Sequence, residues 1–276
     1  MKDSKLTGII KKRQRNGVDF LIKTIFFDVD GTLLSHNTSS VSESTREALD
    51  LLAQKGIQRV VATGRHMLEL AQLPVRDIRF DGYITMNGQL CLDGEGNIIC
   101  ENPISGFEKE CLLALFHEKT IPVVLVEKDD MYLNFCNEVV ERAQAAISSP
   151  VPKVGAYTGN EFYLAVAFLD RETEKELLTQ LTSCKITRWN PNAVDIIAAT
   201  GGKTVGIAQY LKGCHVGVEE TMAFGDGDND VDMLKMVGIG VAMGNAEPIT
   251  KENADYVTDS VDEDGIMKAL KALGVL

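Results

Sequence analysis

The sequence predicts an α/β protein in which a parallel-sheet core is interrupted by an inserted α+β block. Three observations carry this. Strand-like and helix-like runs alternate up to about residue 86 and again from about residue 191, the pattern of parallel strands joined by helical crossovers. Between those points the runs change to hairpin-like pairs. Polar clusters rich in Asp, Thr, Gly and Lys end the apolar runs of both outer segments, where doubly wound sheets gather ligand-binding groups.

The elements follow in order. "LIKTIFF" (21–27) is strand-forming and runs straight into Asp28 and Asp30. "SESTREALDLLAQKG" (42–56) has helical spacing of Ala48, Leu49, Leu51 and Leu52, with Ser42 as N-cap and Gly56 to end it. "IQRVVATG" (57–64) is a strand, "HMLELAQL" (66–73) a helix and "GYITMNG" (82–88) a strand. In the middle block, "PVVLVEKDDMYLNF" (122–135) has two apolar runs around a polar turn and predicts an antiparallel hairpin. Residues 107–120, 137–147 and 171–183 are helix-like, residues 161–170 and 184–190 strand-like, and "SSPVPK" (148–153) a loop. Parallel character returns with strands at 193–199, 221–226, 238–243 and 255–258, connected by helices at 203–212 and 231–237. The expected organisation is a core of residues 19–86 and 191–276, an inserted domain of residues 87–190, and a flexible N-terminal extension over residues 1–18.

Composition sets outer limits. The chain has 276 residues, 45% hydrophobic and 25% charged, ordinary for a globular protein with a core. Its net charge of −12 argues against nucleic acid or an anionic membrane as the main partner. Six cysteines include no CxxC pair or zinc-like cluster, and the basic start lacks a secretory apolar region and cleavage site. No run approaches the roughly 18 apolar residues of a membrane span. A cytoplasmic protein acting on a small molecule, without an obligate protein partner, is the expectation.

Four clusters should converge on one sheet edge: Asp28 and Asp30 after the first strand, Thr63 and Gly64 after the second, Lys203 at a helix start after Gly201-Gly202, and "GDGDND" (225–230) after "TMAF". Singly, each has an ordinary reading: a turn, a loop, a solvated lysine, or a fragment of a calcium loop. The last lacks the glutamate at position twelve counted from Asp226, which is Val237. Together they describe a chemistry. Carboxylates brought together repel unless a cation joins them, and oxygen-only ligands suit a hard ion, Mg²⁺ above all. The Thr63 hydroxyl, the Gly64 N–H and the Lys203 charge are phosphate-binding groups. A carboxylate beside metal and phosphate can act as nucleophile, and a second one two residues on can shuttle protons.

These motifs, "DVDGT" (28–32), "ATGR" (62–65), "GGKTVGIAQYLK" (201–212) and "GDGDND", together with "ITMNG" (84–88), "ADYVT" and "EDGI", resemble the haloacid dehalogenase-like hydrolase superfamily and, within it, the Cof-type phosphatases. The resemblance implies a Rossmann-like core with an inserted α+β cap domain that supplies substrate contacts. It implies Asp28 as nucleophile and metal ligand, and Asp30 as general acid/base that binds Mg²⁺ through its carbonyl. Val29 would offer its N–H to phosphate. Thr63, Gly64, Lys203 and Asn229 would contact phosphate, Asp226 would ligate the metal and Asp230 would support the metal shell. The implied activity is hydrolysis of small phosphate monoesters, sugar phosphates favoured, through an aspartyl-phosphate. A phosphotransferase or mutase on sugar phosphates, and a non-enzymatic sugar-phosphate sensor, are the rival readings. In the inserted block, Asp130, Tyr132, Tyr163, Trp189 and Asn190 read as structural before specificity-determining.

Overall fold

Four fully buried residues, Thr24–Phe27, form β1 at the centre of the larger of two sheets. The computed structural model describes residues 21–147 and 149–276; the extension expected over 1–18 lies outside them. The other strands of this sheet are β2 (Gln58–Ala62), β3 (Gly82–Thr85), β4 (Leu90–Asp93), β5 (Ile98–Glu101), β11 (Thr221–Gly225), β12 (Ile239–Ala242) and β13 (Tyr256–Val257). Among the described residues the order is β13-β12-β11-β1-β2-β3-β4-β5. The ladders from β13 to β3 are parallel, and β3 pairs antiparallel with β4. A parallel strand is covered on both faces, so its sequence is continuously apolar rather than alternating.

The register of the central ladder fixes the site. Phe27 pairs with Phe224 across β1 and β11, and their buried rings stack with centroids 5.4 Å apart. Such a pair contributes about 0.5–1.5 kcal/mol beyond its buried area. It also sets Asp28 and Asp226 side by side, one and two residues beyond the aromatic pair. The helix α1 (Glu43–Gln54) is capped by Ser42, whose Oγ accepts the Thr45 N–H at 3.1 Å, and it buries Ala48, Leu49 and Leu52.

The smaller sheet contains β6 (Val123–Glu127), β7 (Met131–Leu133), β8 (Phe162–Ala167), β9 (Cys184–Asn190) and β10 (Ala193–Ala198) in the order β7-β6-β8-β10-β9, with antiparallel ladders. The predicted 122–135 hairpin is β6–β7. Its neighbouring helices are α3 (Gly106–Glu118), α4 (Glu138–Ala146, capped by Asn137) and α5 (Arg171–Gln180, capped by Asp170). An apolar core of Leu112, Phe116, Leu125, Tyr132, Phe162 and Ile196, among others, holds this unit together.

The described residues divide into one unit of 21–64, Leu70–Cys100 and Lys203–Leu276, and a second of Arg65–Glu69 and Glu101–Gly202. This differs from the sequence expectation at three places. The strand expected at 193–199 in the parallel core is β10, which pairs antiparallel with β8 and β9. An apolar strand bounded by turns reads the same in either sheet. Residues 87–100 extend the larger sheet as β4 and β5 instead of opening the insertion. Finally, the helix expected at 66–73 shortens to α2 (Met67–Leu70), and its start belongs to the second unit. The buried His66 explains this: its Nδ1 accepts the Leu68 N–H at 3.1 Å, so Nε2 carries the proton and donates to the Lys128 carbonyl at 2.8 Å, in the β6–β7 turn. Among the described residues, no helix is long and apolar enough to cross a membrane.

Candidate active site

Asp28 leaves the end of β1 and Asp226 follows β11; the 3-10 turn Asp228–Asp230 then brings Asp230 back. The helix α6 (Lys203–Cys214) begins with Lys203. Carboxylate oxygens of Asp28, Asp226 and Asp230 lie within 4.8 Å of one another. Lys203 Nζ donates to Asp28 Oδ1 and to Asp230 Oδ1, each at 2.7 Å. A lone lysine after two glycines is ordinarily a solvated charge; Lys203, expected at the phosphate site, is 5% exposed. Asp230 is fully buried, and its second oxygen accepts the N–H groups of Asp226 (3.0 Å) and Gly227 (3.1 Å). Asp230 therefore organises the loop and the lysine, with both oxygens engaged.

The electrostatics follow from burial. Asp28 is raised well above the usual carboxylate range by desolvation and by Asp230, with Lys203 pulling the other way. Desolvation, then the Asp230 charge, pushes Asp226 up to about 6, against a hydrogen bond from Thr32. Burial alone would lower the Lys203 ammonium, but Asp230 and Asp28 outweigh it and hold it above its ordinary value. With all three carboxylates ionised against one ammonium, two negative charges remain, which a divalent cation would cancel. The donors are all oxygen, so the residues fit a hard cation such as Mg²⁺.

The remaining predicted residues fall in the same unit. Val29 is buried and its carbonyl accepts the Thr32, Leu33 and Leu34 N–H groups, forming the tight turn that carries half-buried Asp30. Thr63 is buried and Gly64 half-buried just past β2. Asn229 is exposed on the turn before Asp230. Two residues not singled out from sequence also belong here. Thr32 Oγ1 donates to Asp226 Oδ1 at 3.0 Å. Asn245 Nδ2 donates to the Gly31 carbonyl at 2.8 Å, while its Oδ1 accepts the Val261 N–H at 2.9 Å. Thr32 lies within the first motif; Asn245, after a buried strand, carried no comparable signal.

Tyr132, Tyr163 and Asp130 of the inserted block bond within the second unit itself. Tyr132 donates to Glu127, which also accepts from Thr158 and Asn160; Tyr163 donates to Glu101; Asp130 pairs with Lys153 at 2.8 Å.

Fold and relatives together define the class, a phosphatase-type hydrolase with a parallel-sheet core. The chain belongs to the haloacid dehalogenase-like hydrolases, whose family model matches residues 25–270. It is similar to 5-amino-6-(5-phospho-D-ribitylamino)uracil phosphatase YcsE of Bacillus subtilis, 31% identical over 264 residues that cover 94% of this chain and 97% of that one. Among solved structures it is similar to BT1666 of Bacteroides thetaiotaomicron, a phosphatase of the HAD superfamily, with 36% identity, a TM-score of 0.84, and coverage of 93% of this chain and 97% of that one. It is also similar to the HAD subclass IIB sugar phosphatase BT4131, with 37% identity, a TM-score of 0.79, and coverage of 92% and 100%.

Proposed function

We propose that the protein is a Mg²⁺-dependent phosphatase of small phosphate monoesters, sugar phosphates favoured, acting through an aspartyl-phosphate on Asp28. The observation that carries this reading is the balance of two negative charges left by Asp28, Asp226 and Asp230 around the single buried Lys203. The carboxylates of Asp28 and Asp226 and the carbonyl of Asp30 would hold Mg²⁺, with Asp230 in support. When bound, the ion would screen the charge on the phosphoryl oxygens.

The chain's own residues then divide the work. Lys203 holds Oδ1 of Asp28, which leaves the other oxygen to attack phosphorus. As the new P–O bond forms and the ester P–O bond breaks, Asp30 gives its proton to the departing oxygen. Val29 N–H, Thr63, Gly64, Lys203 and Asn229 bind the phosphoryl oxygens and orient them. Asp30, now ionised, takes a proton from water as that water attacks the phospho-enzyme. Inorganic phosphate leaves and Asp28 is regenerated. The inserted unit serves as the cap that discriminates among substrates. A similar subclass IIB sugar phosphatase supports the substrate class. The acidic chain favours a small metabolite over nucleic acid or membrane, and cysteines without metal-type spacing suit the cytoplasm.

Free phosphate released from a panel of sugar phosphates, flavin mononucleotide and pyridoxal phosphate tests the reading. Release is expected with Mg²⁺ and not in excess chelator. Transfer to a second sugar without free phosphate would establish a mutase, and tight binding without turnover a sensor; either overturns the proposal.

A further inference from the structure

Met86, Asn87 and Gly88 have φ of 51°, 55° and 86° in succession, between the antiparallel strands β3 and β4. A glycine takes such a conformation without strain and asparagine takes it at some cost, but it is rare for a longer side chain such as methionine. A hairpin alone does not demand it. Positive φ at an Asn-Gly pair is enough to turn two strands, and here the left-handed run begins one residue earlier, at a methionine that is 1% exposed.

The extra distortion has a definite result. The Asn87 N–H donates at 3.0 Å to the carbonyl of Thr63, on the loop that follows β2, outside its own hairpin. The Thr63 N–H in turn donates to the Ile84 carbonyl of β3 at 2.9 Å, so both main-chain polar groups of Thr63 are held by the segment 84–87. The Asn87 side chain follows its backbone. A methyl group placed on Gly64 would stand 3.2 Å from Asn87 Oδ1 and 3.3 Å from Nδ2. Asn87 thus holds Thr63 through its main chain, while its carboxamide lies where a Gly64 side chain would otherwise sit, and it is itself half-buried.

We propose that Asn87 is a positioning residue of the phosphate subsite, held in a strained left-handed turn so that its carboxamide fixes the Gly64 backbone for a phosphoryl oxygen. This rests on the reading of Thr63 and Gly64 as phosphate-binding groups. Backbone strain kept beside a site is consistent with a function that opposes stability.

The test uses that opposition. Asn87→Gly relieves the left-handed strain and removes the carboxamide; Asn87→Ala removes the carboxamide and keeps the strain. Thermal unfolding, aryl phosphate hydrolysis and competitive inhibition by inorganic phosphate are measured on the full chain. Asn87→Gly should unfold at the same or a higher temperature than the parent, yet show KM and the phosphate inhibition constant raised at least tenfold, with kcat less affected. Asn87→Ala should show the same loss in phosphate binding at lower stability. Phosphate inhibition unchanged in Asn87→Gly overturns the proposal, as does a loss of activity in both variants that merely follows their stability. If the parent itself releases no phosphate, the functional reading fails first, a distinguishable result.

Discussion

Gly31 lies directly against Asp226: at φ +76°, a Cβ on Gly31 would stand 2.7 Å from the Asp226 carboxyl carbon. The turn within the first motif therefore has room for Asp226 only because residue 31 lacks a side chain. Gly31→Ala should displace the Asp226 carboxylate and raise the Mg²⁺ concentration for half-activation by about 5- to 150-fold, the size of an overpacking penalty of about 1–3 kcal/mol. A Mg²⁺ titration of initial rates reads this directly. An unchanged half-activation point would mean that Asp226 does not ligate the ion.

Lys203 is the shared cationic partner of two buried carboxylates, and its removal leaves both without it. Lys203→Met should destabilise the metal-free protein by about 3–5 kcal/mol, the usual cost of breaking a buried pair from one side. Mg²⁺ should recover part of that loss. Urea unfolding in chelator and in Mg²⁺ checks both statements.

Stability of the metal-free protein should depend on pH in a stated direction. Burial and Asp230 raise Asp226 from its ordinary value of 3.8 to about 6, and Asp28 is shifted the same way by the same causes. The folded state thus holds these protons more tightly than the unfolded chain. Their contribution is fully present below 3.8 and is lost as pH rises through the folded value. Mg²⁺ competes for the same oxygens, so the rise in unfolding temperature that it causes should be small near pH 4 and grow through pH 6. A Mg²⁺ increment independent of pH across that window would contradict the assignment.

The two aspartates of the first motif should separate kinetically. Asp28→Asn should abolish any covalent phospho-enzyme. Asp30→Asn should still accept phosphate from an aryl ester, whose leaving group scarcely needs a proton, and then hydrolyse it about 10²–10⁴-fold more slowly. A burst of phenolate close to one equivalent, with one phosphoryl mass on Asp28, is the expected signature. With a sugar phosphate the same variant should show no burst.

Removal of the insertion should succeed only at the boundaries the sheets define. Joining residue 101 to residue 201 leaves every strand of the larger sheet, and that protein should unfold cooperatively and cleave aryl phosphates with reduced discrimination among sugar phosphates. Deleting 87–190 instead strips β4 and β5 and leaves β10 without β8 and β9. That protein should not show a cooperative transition by circular dichroism.

The difference between these two deletions measures what was legible in the sequence. Asp28, Asp226 and Lys203 could be placed together because each ends or follows a short apolar run, and strand ends of a parallel sheet meet at one edge. The hairpin β4–β5 did have a signal, "DGEGN" between alternating runs, with Asp93 accepting the Glu95 and Asn97 N–H groups. It was masked by its position next to the expected seam. β10 had no signal of its own, since its partners β8 and β9 decide its sheet. The burial of Lys203, the support of Asp226 by Thr32 and Asn245, and the Met86-Asn87 turn all depend on contacts between segments far apart in sequence, which local pattern does not encode.

One hydrogen bond inside the second unit bears on how the chain reaches this structure. Thr200 Oγ1 donates to Asn102 Oδ1 at 3.2 Å, so the entry and exit of the insertion meet. The ladder between β1 and β11 joins Thr24 to Thr221, and most of the intervening chain is the insertion. The entropy of closing a loop rises with its length. A second unit that folds first shortens that loop by about a hundred residues before the central ladder forms. The late-closing element of the folding reaction is then the β1–β11 ladder, the same one that brings Asp28 beside Asp226. Pulse-labelled hydrogen exchange should find amides of β6 and β8 protected before those of β11, and phosphatase activity should appear only with the later phase.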